Sequence, residues 1–134
     1  MAARPNTVER DRARIALARH VLTDLHDPET GRLDAKRIAA YLHVSLSSLA
    51  AITGGSVAAI HKAPAANSLQ QTLAPIAQTI SVLTEVLSSK ELVLAWLNSP
   101  HPDLGNQTPL QLILGGHAGT VADLVAAALA GQPS

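Results

Sequence analysis

Cysteine is absent from this chain, and so is phenylalanine. The first absence excludes a disulfide framework and any thiolate metal site, and it suits a reducing compartment. The second leaves Tyr41 and Trp96 as the only aromatic rings besides histidine, so the 47% hydrophobic content is mostly Ala, Leu, Ile and Val. An aliphatic, alanine-rich chain of high helix propensity argues for helices packed on helices rather than for a sheet. Long apolar runs are missing too: none approaches the roughly 20 residues of a membrane span. Residues 1–25 alternate charged with apolar side chains, unlike the uninterrupted apolar core of a signal peptide. A soluble, cytoplasmic protein is expected. Its 134 residues fit one compact domain, or two small helical lobes sharing a core.

Chemistry-bearing clusters are scarce. The six histidines, His20, His26, His43, His61, His101 and His117, are scattered without ligand spacing, so no metal site is expected. No nucleophile, base and orienting group stand in a recognisable set, so neither enzymatic activity nor a cofactor is expected. Charge is distributed unevenly although its sum is zero. Residues 1–62 hold nine bases against six acids, a net of +3, whereas residues 63–134 hold Lys90 against Glu85, Glu91, Asp103 and Asp123, a net of −3. A basic front and an acidic back suggest a different partner for each half. The plainer reading is a solvated charge distribution, with Arg10, Arg12, Arg14 and Arg19 wetting one face of the first helix.

The residue pattern predicts a succession of helices. Residues 1–7, with Pro5, read as a leader. Val8, Ile15, Ala18, Val21, Leu22 and Leu25 form one face of a helix over 8–25. Asp27 to Gly31 is turn-rich and reads as a linker. Asp34 caps a helix to Leu42, Ser45 one to Thr53, and Ser56 a short one to Lys62, which Ala63-Pro64 stops. From Ser68 to Leu87 the apolar residues Leu69, Leu73, Ile76, Ile80, Leu83 and Leu87 step by 4, 3, 4, 3 and 4. This heptad reads as an intramolecular spine, with a two-fold interface as the other reading, and Pro75 should bend it. Ser88 to Glu91 has the capping-box pattern for a helix carrying Val93, Trp96 and Leu97. A loop over 98–107 precedes Thr108-Pro109-Leu110-Gln111, a second capping box with proline in the first helical position. Gly115-Gly116 ends that helix. Thr120 starts the last one, with Val121, Leu124, Val125, Ala128 and Leu129 inward, and Gly131 ends it.

The sharpest front-half pattern spans residues 45–62. Ala50 is small enough for close packing, Gly54 tolerates the positive φ of a corner, and Leu49, Val57 and Ile60 anchor both sides. That is what a helix-turn-helix requires, leaving the outer face of the second helix free for the major groove. Its outer residues are poor base readers, since Ser56 to Lys62 contains no Arg, Asn or Gln. The candidate DNA-binding residues are Lys36, Arg37, Ser56, Ala58, His61 and Lys62, with Arg32 as a further backbone contact. A corner kept only for packing is the other reading.

The back half carries a more specific signal. Ala95-Trp96-Leu97-Asn98-Ser99-Pro100 is followed by Pro102-Asp103-Leu104-Gly105, Thr108-Pro109-Leu110, a Gly-Gly stop, and Val121 to Leu129. In this order the chain resembles the C-terminal domain of the MbcA/ParS/Xre antitoxin family over roughly residues 34–130. The resemblance implies an antitoxin that covers the nucleotide pocket of a RES-domain toxin, an enzyme that consumes NAD or transfers ADP-ribose from it. It also implies that the complex represses its own promoter, working as a homodimer or a toxin–antitoxin hetero-oligomer. This chain departs from its relatives in having Ala58, Ala59 and His61 where arginine is common, and in a tail after Gly131 of only three residues. Candidate toxin-binding residues are Asp103 and Asn106 at the loop tip, Gly116, His117, Ala118 and Gly119 at the corner, and Ala127 and Ala130 at the end. Leu112, Leu124 and Leu129 are expected in the core.

The expected architecture is all-α: a leader and basic helix (1–33), a helix-turn-helix part (34–67), a connecting helix (68–87) and a small toxin-binding part (88–134). A free-standing helix-turn-helix transcription regulator, or a helical adaptor with neither toxin nor operator, would need fewer of these features.

Overall fold

The computed structural model describes residues 7–131. The leader expected over 1–7 and the last three residues of the chain therefore fall outside it, apart from Thr7. Eight α-helices and no strand occur among the described residues. They are α1 (Thr7–Leu25), α2 (Ala35–Leu42), α3 (Leu46–Thr53), α4 (Val57–Lys62), α5 (Gln70–Leu87), α6 (Lys90–Leu97), α7 (Pro109–Leu114) and α8 (Ala118–Leu129). The fold is all-α.

Caps set most of the boundaries. Asp34, Ser45, Ser56 and Thr108 each accept the backbone N–H three residues on, which supplies an otherwise unmatched donor in the first turn. At Thr108 the box is complete, because the Gln111 side chain accepts from the Thr108 N–H at 2.9 Å. The second expected box is displaced by one residue. Ser88 closes α5 in the left-handed region at φ 60°, and Ser89 caps α6 instead, accepting from Leu92 N. The last helix likewise starts at Ala118, two residues before Thr120, without a side-chain cap.

The heptad side chains of α5 make the centre. Leu73, Ile76 and Ile80 are fully buried, Leu69 and Leu83 nearly so. Around them α1 packs on one side, α6 and α8 on the other. A single apolar cluster runs from Leu25 through α5 to Val125. Among the described residues, 88–131 therefore share their core with α5 and have no separate one. Helix α5 continues through Pro75, whose missing donor would have served the carbonyl of exposed Gln71, where water can take its place. The turn-rich stretch after α1 is not an open linker. Thr30 Oγ1 donates to the Asp27 carboxylate at 2.8 Å, Arg32 Nε donates to the Ala65 carbonyl at 2.7 Å, and the Gln70 amide clasps the Leu33 backbone at 2.8 and 2.9 Å.

Two expectations about apolar faces fail at the ends of helices. Val8 is 56% exposed and Ile15 41%, because α1 runs past the body and packs only from about Leu17 onward. Leu129 is 51% exposed, and Ala128 is exposed with it, because α8 outlasts the neighbours that would cover its last turn.

Candidate functional site

Residues 82–131 build a unit of three short helices on the end of α5. Trp96, half-buried on α6, lies against the ring of His101 at 4.7 Å between centroids and a tilt of 51°. The His101 Nε2 is buried and has no hydrogen-bond partner among the described residues, so this imidazole serves as a packing surface. The carbonyls at the end of α6 are satisfied locally: Asn98 Nδ2 donates to Leu94 O at 2.7 Å and Ser99 Oγ to Ala95 O at 2.6 Å. The loop that follows is closed by His101 N donating to Gln107 O at 3.1 Å and Asn106 N to His101 O at 3.0 Å. Gly105 and Asn106 both adopt positive φ, 63° and 64°, and turn the tip outward with Asp103 and Asn106 exposed. Asparagine is among the few residues that accept this region at low cost.

The candidate contact residues of this half divide into two groups. Trp96 shares one apolar groove with Ala128 and Leu129 while stacking on His101, so the loop 98–107 and the end of α8 occupy the same end of the molecule. Ala127 and Ala130 are exposed at that end. The corner at Gly116 to Gly119 lies elsewhere, beside Ile52 of α3 and Thr72 and Pro75 of α5, about 18 Å away along the twelve residues of α8. Gly116, His117 and Gly119 are exposed there, but Ala118 is only 7% exposed. Its methyl belongs to the core, so its candidacy as a contact is corrected: a charge placed on it would disrupt packing before it tested binding. Leu129 is the converse case, a side chain expected inside that lies at the surface. Its position in the sequence pattern gave no sign of this, since the heptad-like spacing continues past the point where its neighbours stop.

In the front half, Gly54 sits at φ 76° between α3 and α4, with Leu49, Ala50 and Ile60 buried around the corner. Lys36, Arg37, Ser56, Ala58, His61 and Lys62 are all exposed. Ala35 N donates to Pro64 O at 2.8 Å, which brings the start of α2 beside the stretch that follows α4. Ser56 and Ala58 lie at the other end of this six-residue helix. Two of the bases are tethered. Arg37 Nη1 donates to Asp24 O at 3.2 Å and its Nε stands 4.0 Å from Asp34, while Arg32 is held by Ala65 O. The Ser56 hydroxyl oxygen is the α4 cap, accepting from Ala59 N at 3.0 Å.

The two halves meet at Tyr41, half-buried on α2. Lys90 Nζ lies 5.0 Å from the centre of its ring, and burial pushes its phenol above the ordinary 10.0. Among the described residues there is no group of three or more His, Cys, Asp or Glu placed to hold a metal ion. No helix of the described residues is long and apolar enough to cross a membrane.

Comparison with known proteins bears on this same back-half unit. The family model of the antitoxin Xre/MbcA/ParS C-terminal toxin-binding domain fits residues 82–131, from the last turns of α5 to just past α8. No curated protein and no solved structure matches the chain.

Proposed function

We propose that this chain, an antitoxin of the Xre/MbcA/ParS type by its residues 82–131, binds a RES-domain toxin and closes that enzyme's NAD pocket. The observation that carries the reading is the coincidence of the matched residues with one structural unit, the end of α5 with α6, α7 and α8. Blocking requires no chemistry from the antitoxin, only a surface that seats on the rim of a pocket and excludes substrate. The proposed contact residues are the exposed Asp103–Asn106 tip and the exposed Ala127 and Ala130 at the same end of the molecule, with Gly116, His117 and Gly119 as a second edge. Small side chains at 127 and 130 let a partner's backbone approach closely, and the loop tip offers a carboxylate and an amide at the rim.

The same reading extends to autorepression through the front half. Lys36, Arg37 and Lys62 are exposed bases on α2 and α4, and phosphate neutralisation is what such bases can supply. With Ala58 and His61 on the outer side of α4, sequence reading by these bases alone is weak, and affinity for the backbone dominates.

Co-expression with the RES-domain protein encoded beside it tests the function. The two proteins should purify together, and loss of NAD in cells making the toxin should stop when the antitoxin is present. If the pair does not associate while the chain still binds its own promoter, the free-standing regulator takes the place of this reading.

A further inference from the structure

Few large apolar side chains of this protein lie open, and most of those fall in one segment. Among the described residues they are Val8, Ile15, Val86, Leu92 and Leu129. Val8 and Ile15 belong to the projecting start of α1. The other three lie within residues 82–131, the segment matched to the toxin-binding domain. Scattered surface leucines need no explanation, whereas apolar side chains that adjoin one another mark contact sites.

Val86 and Leu129 do adjoin. They line an apolar groove of about 130 Å³ where α5, α6 and α8 end. Val86, 41% exposed, and Leu129, 51% exposed, form its rim, the nearly buried Leu83 and Val125 its floor, and Trp96 one wall. Leu92 stands one turn before Trp96 on the same face of α6 and extends the apolar surface beyond the rim. No lining side chain is charged, and the indole N–H is the only polar side-chain group among them. A polar or charged group buried there would lose its water without gaining a partner, so the groove selects an apolar occupant. Its size sets a limit as well. An apolar cavity of about 150 Å³ holds a benzene ring, so this groove takes one side chain of leucine or phenylalanine size.

Position identifies the occupant. All the lining residues fall within 82–131, so the groove belongs wholly to the toxin-binding domain. It also continues the contact residues proposed above. The Trp96 ring that walls the groove packs on His101, whose N–H and carbonyl close the loop carrying Asp103 and Asn106. From Ala126 to Gly131 every residue is exposed. Ala127 and Ala130 lie on one side of this last turn of α8, Ala128 and Leu129 on the other. A partner that reaches both sides straddles the end of α8, with its backbone against the alanines and a side chain in the groove.

We infer that an apolar side chain of the toxin seats in this groove, against Val86, Trp96 and Leu129, and anchors the complex. The inference rests on the toxin-binding reading above and adds to it the place and chemistry of the anchor. A few such anchors, each in a well-packed pocket that excludes water, carry most of the binding energy of a protein interface.

Trp96 is the only tryptophan, so the full-length chain labelled with 5-fluorotryptophan reports on the groove through a single fluorine resonance. Titration with the unlabelled RES-domain protein encoded beside it should shift that resonance. Val86→Glu and Leu129→Glu should each require at least about tenfold more chain to stop NAD loss, at unchanged helicity since both positions are exposed. Leu129→Met, which keeps size and apolarity, should stay within about threefold of the unmodified chain. Ile15→Glu, at an open position on α1, should change nothing. An unmoved resonance in a complex that forms, or undiminished inhibition by both Val86→Glu and Leu129→Glu, would overturn the anchor while the toxin-binding reading stands. An equal loss in Ile15→Glu would overturn it too, as an effect of added charge alone. Should Val86→Glu and Leu129→Glu dissociate a dimer of the chain in sedimentation yet leave inhibition intact, a second copy is the occupant and the inference falls. A chain that neither binds nor inhibits the toxin removes the reading and the anchor together.

Discussion

Gly54 and Gly119 show how much the setting of a single residue decides. Gly54 stands at φ 76° with open space where a Cβ would go, so substitution there is penalised by backbone conformation alone. Gly54→Ala should lower stability by about 1 kcal/mol in a urea unfolding titration. Gly119, in the first turn of α8, also has open space around a Cβ but no positive φ, and the methyl there only restricts the unfolded chain. Gly119→Ala should raise stability by about 0.5–1 kcal/mol in the same titration. Asp27 is a third case. The Thr30 hydroxyl first, then the Glu29 N–H, hold its carboxyl below the usual 3.8. A depressed folded value means that its contribution is present above the unfolded value and is lost as pH falls through the folded one. Carboxyl carbon shifts followed by NMR should place its midpoint below that of the same residue in the unfolded chain, and Thr30→Ala should move it upward.

At the scale of elements, the caps and the spine were legible in the sequence. Asp34, Ser45, Ser56 and Thr108 act locally, through an oxygen and an amide three residues on, so short-range pattern suffices to find them. The heptad of α5 was legible for the same reason. Burial at helix ends was not, because it depends on where neighbouring helices stop. Val8, Ile15 and Leu129 continue their apolar faces beyond the body, and Ala118 lies inward through its contact with α5 and α7, which no spacing within α8 encodes. Ser88 and Ser89 show a finer failure: either could cap α6, and the choice fell to the one that lets the other close α5 at positive φ. The exposed bases of α2 and α4 carry their own prediction. If Lys36, Arg37 and Lys62 each neutralise a phosphate, the triple alanine variant should lower the salt slope of DNA binding by about 2 to 3, measured by fluorescence anisotropy at several salt concentrations. Arg37→Ala should contribute least among the three, since Asp24 and Asp34 already hold its guanidinium.

For the whole molecule, one apolar cluster ties a basic front to an acidic back. The candidate toxin face was only partly legible. The order of Trp96, Asn98, Pro100, Gly105, Thr108 and Pro109 pointed to the domain, but which exposed residues converge depends on α8 bringing its end back to Trp96. Separating residues 88–131 from α5 would uncover Val93, Leu97, Val121 and Val125, so toxin binding is tested on the intact protein. The most direct measurement adds the purified full-length chain, in rising amounts, to the purified RES-domain protein encoded beside it, and follows NAD. The account predicts that NAD loss falls to baseline as the chain reaches stoichiometry, and that Ala127→Arg with Ala130→Arg, at unchanged helicity, requires at least about tenfold more protein to do so. Undiminished NAD loss in the presence of excess unmodified chain would contradict it.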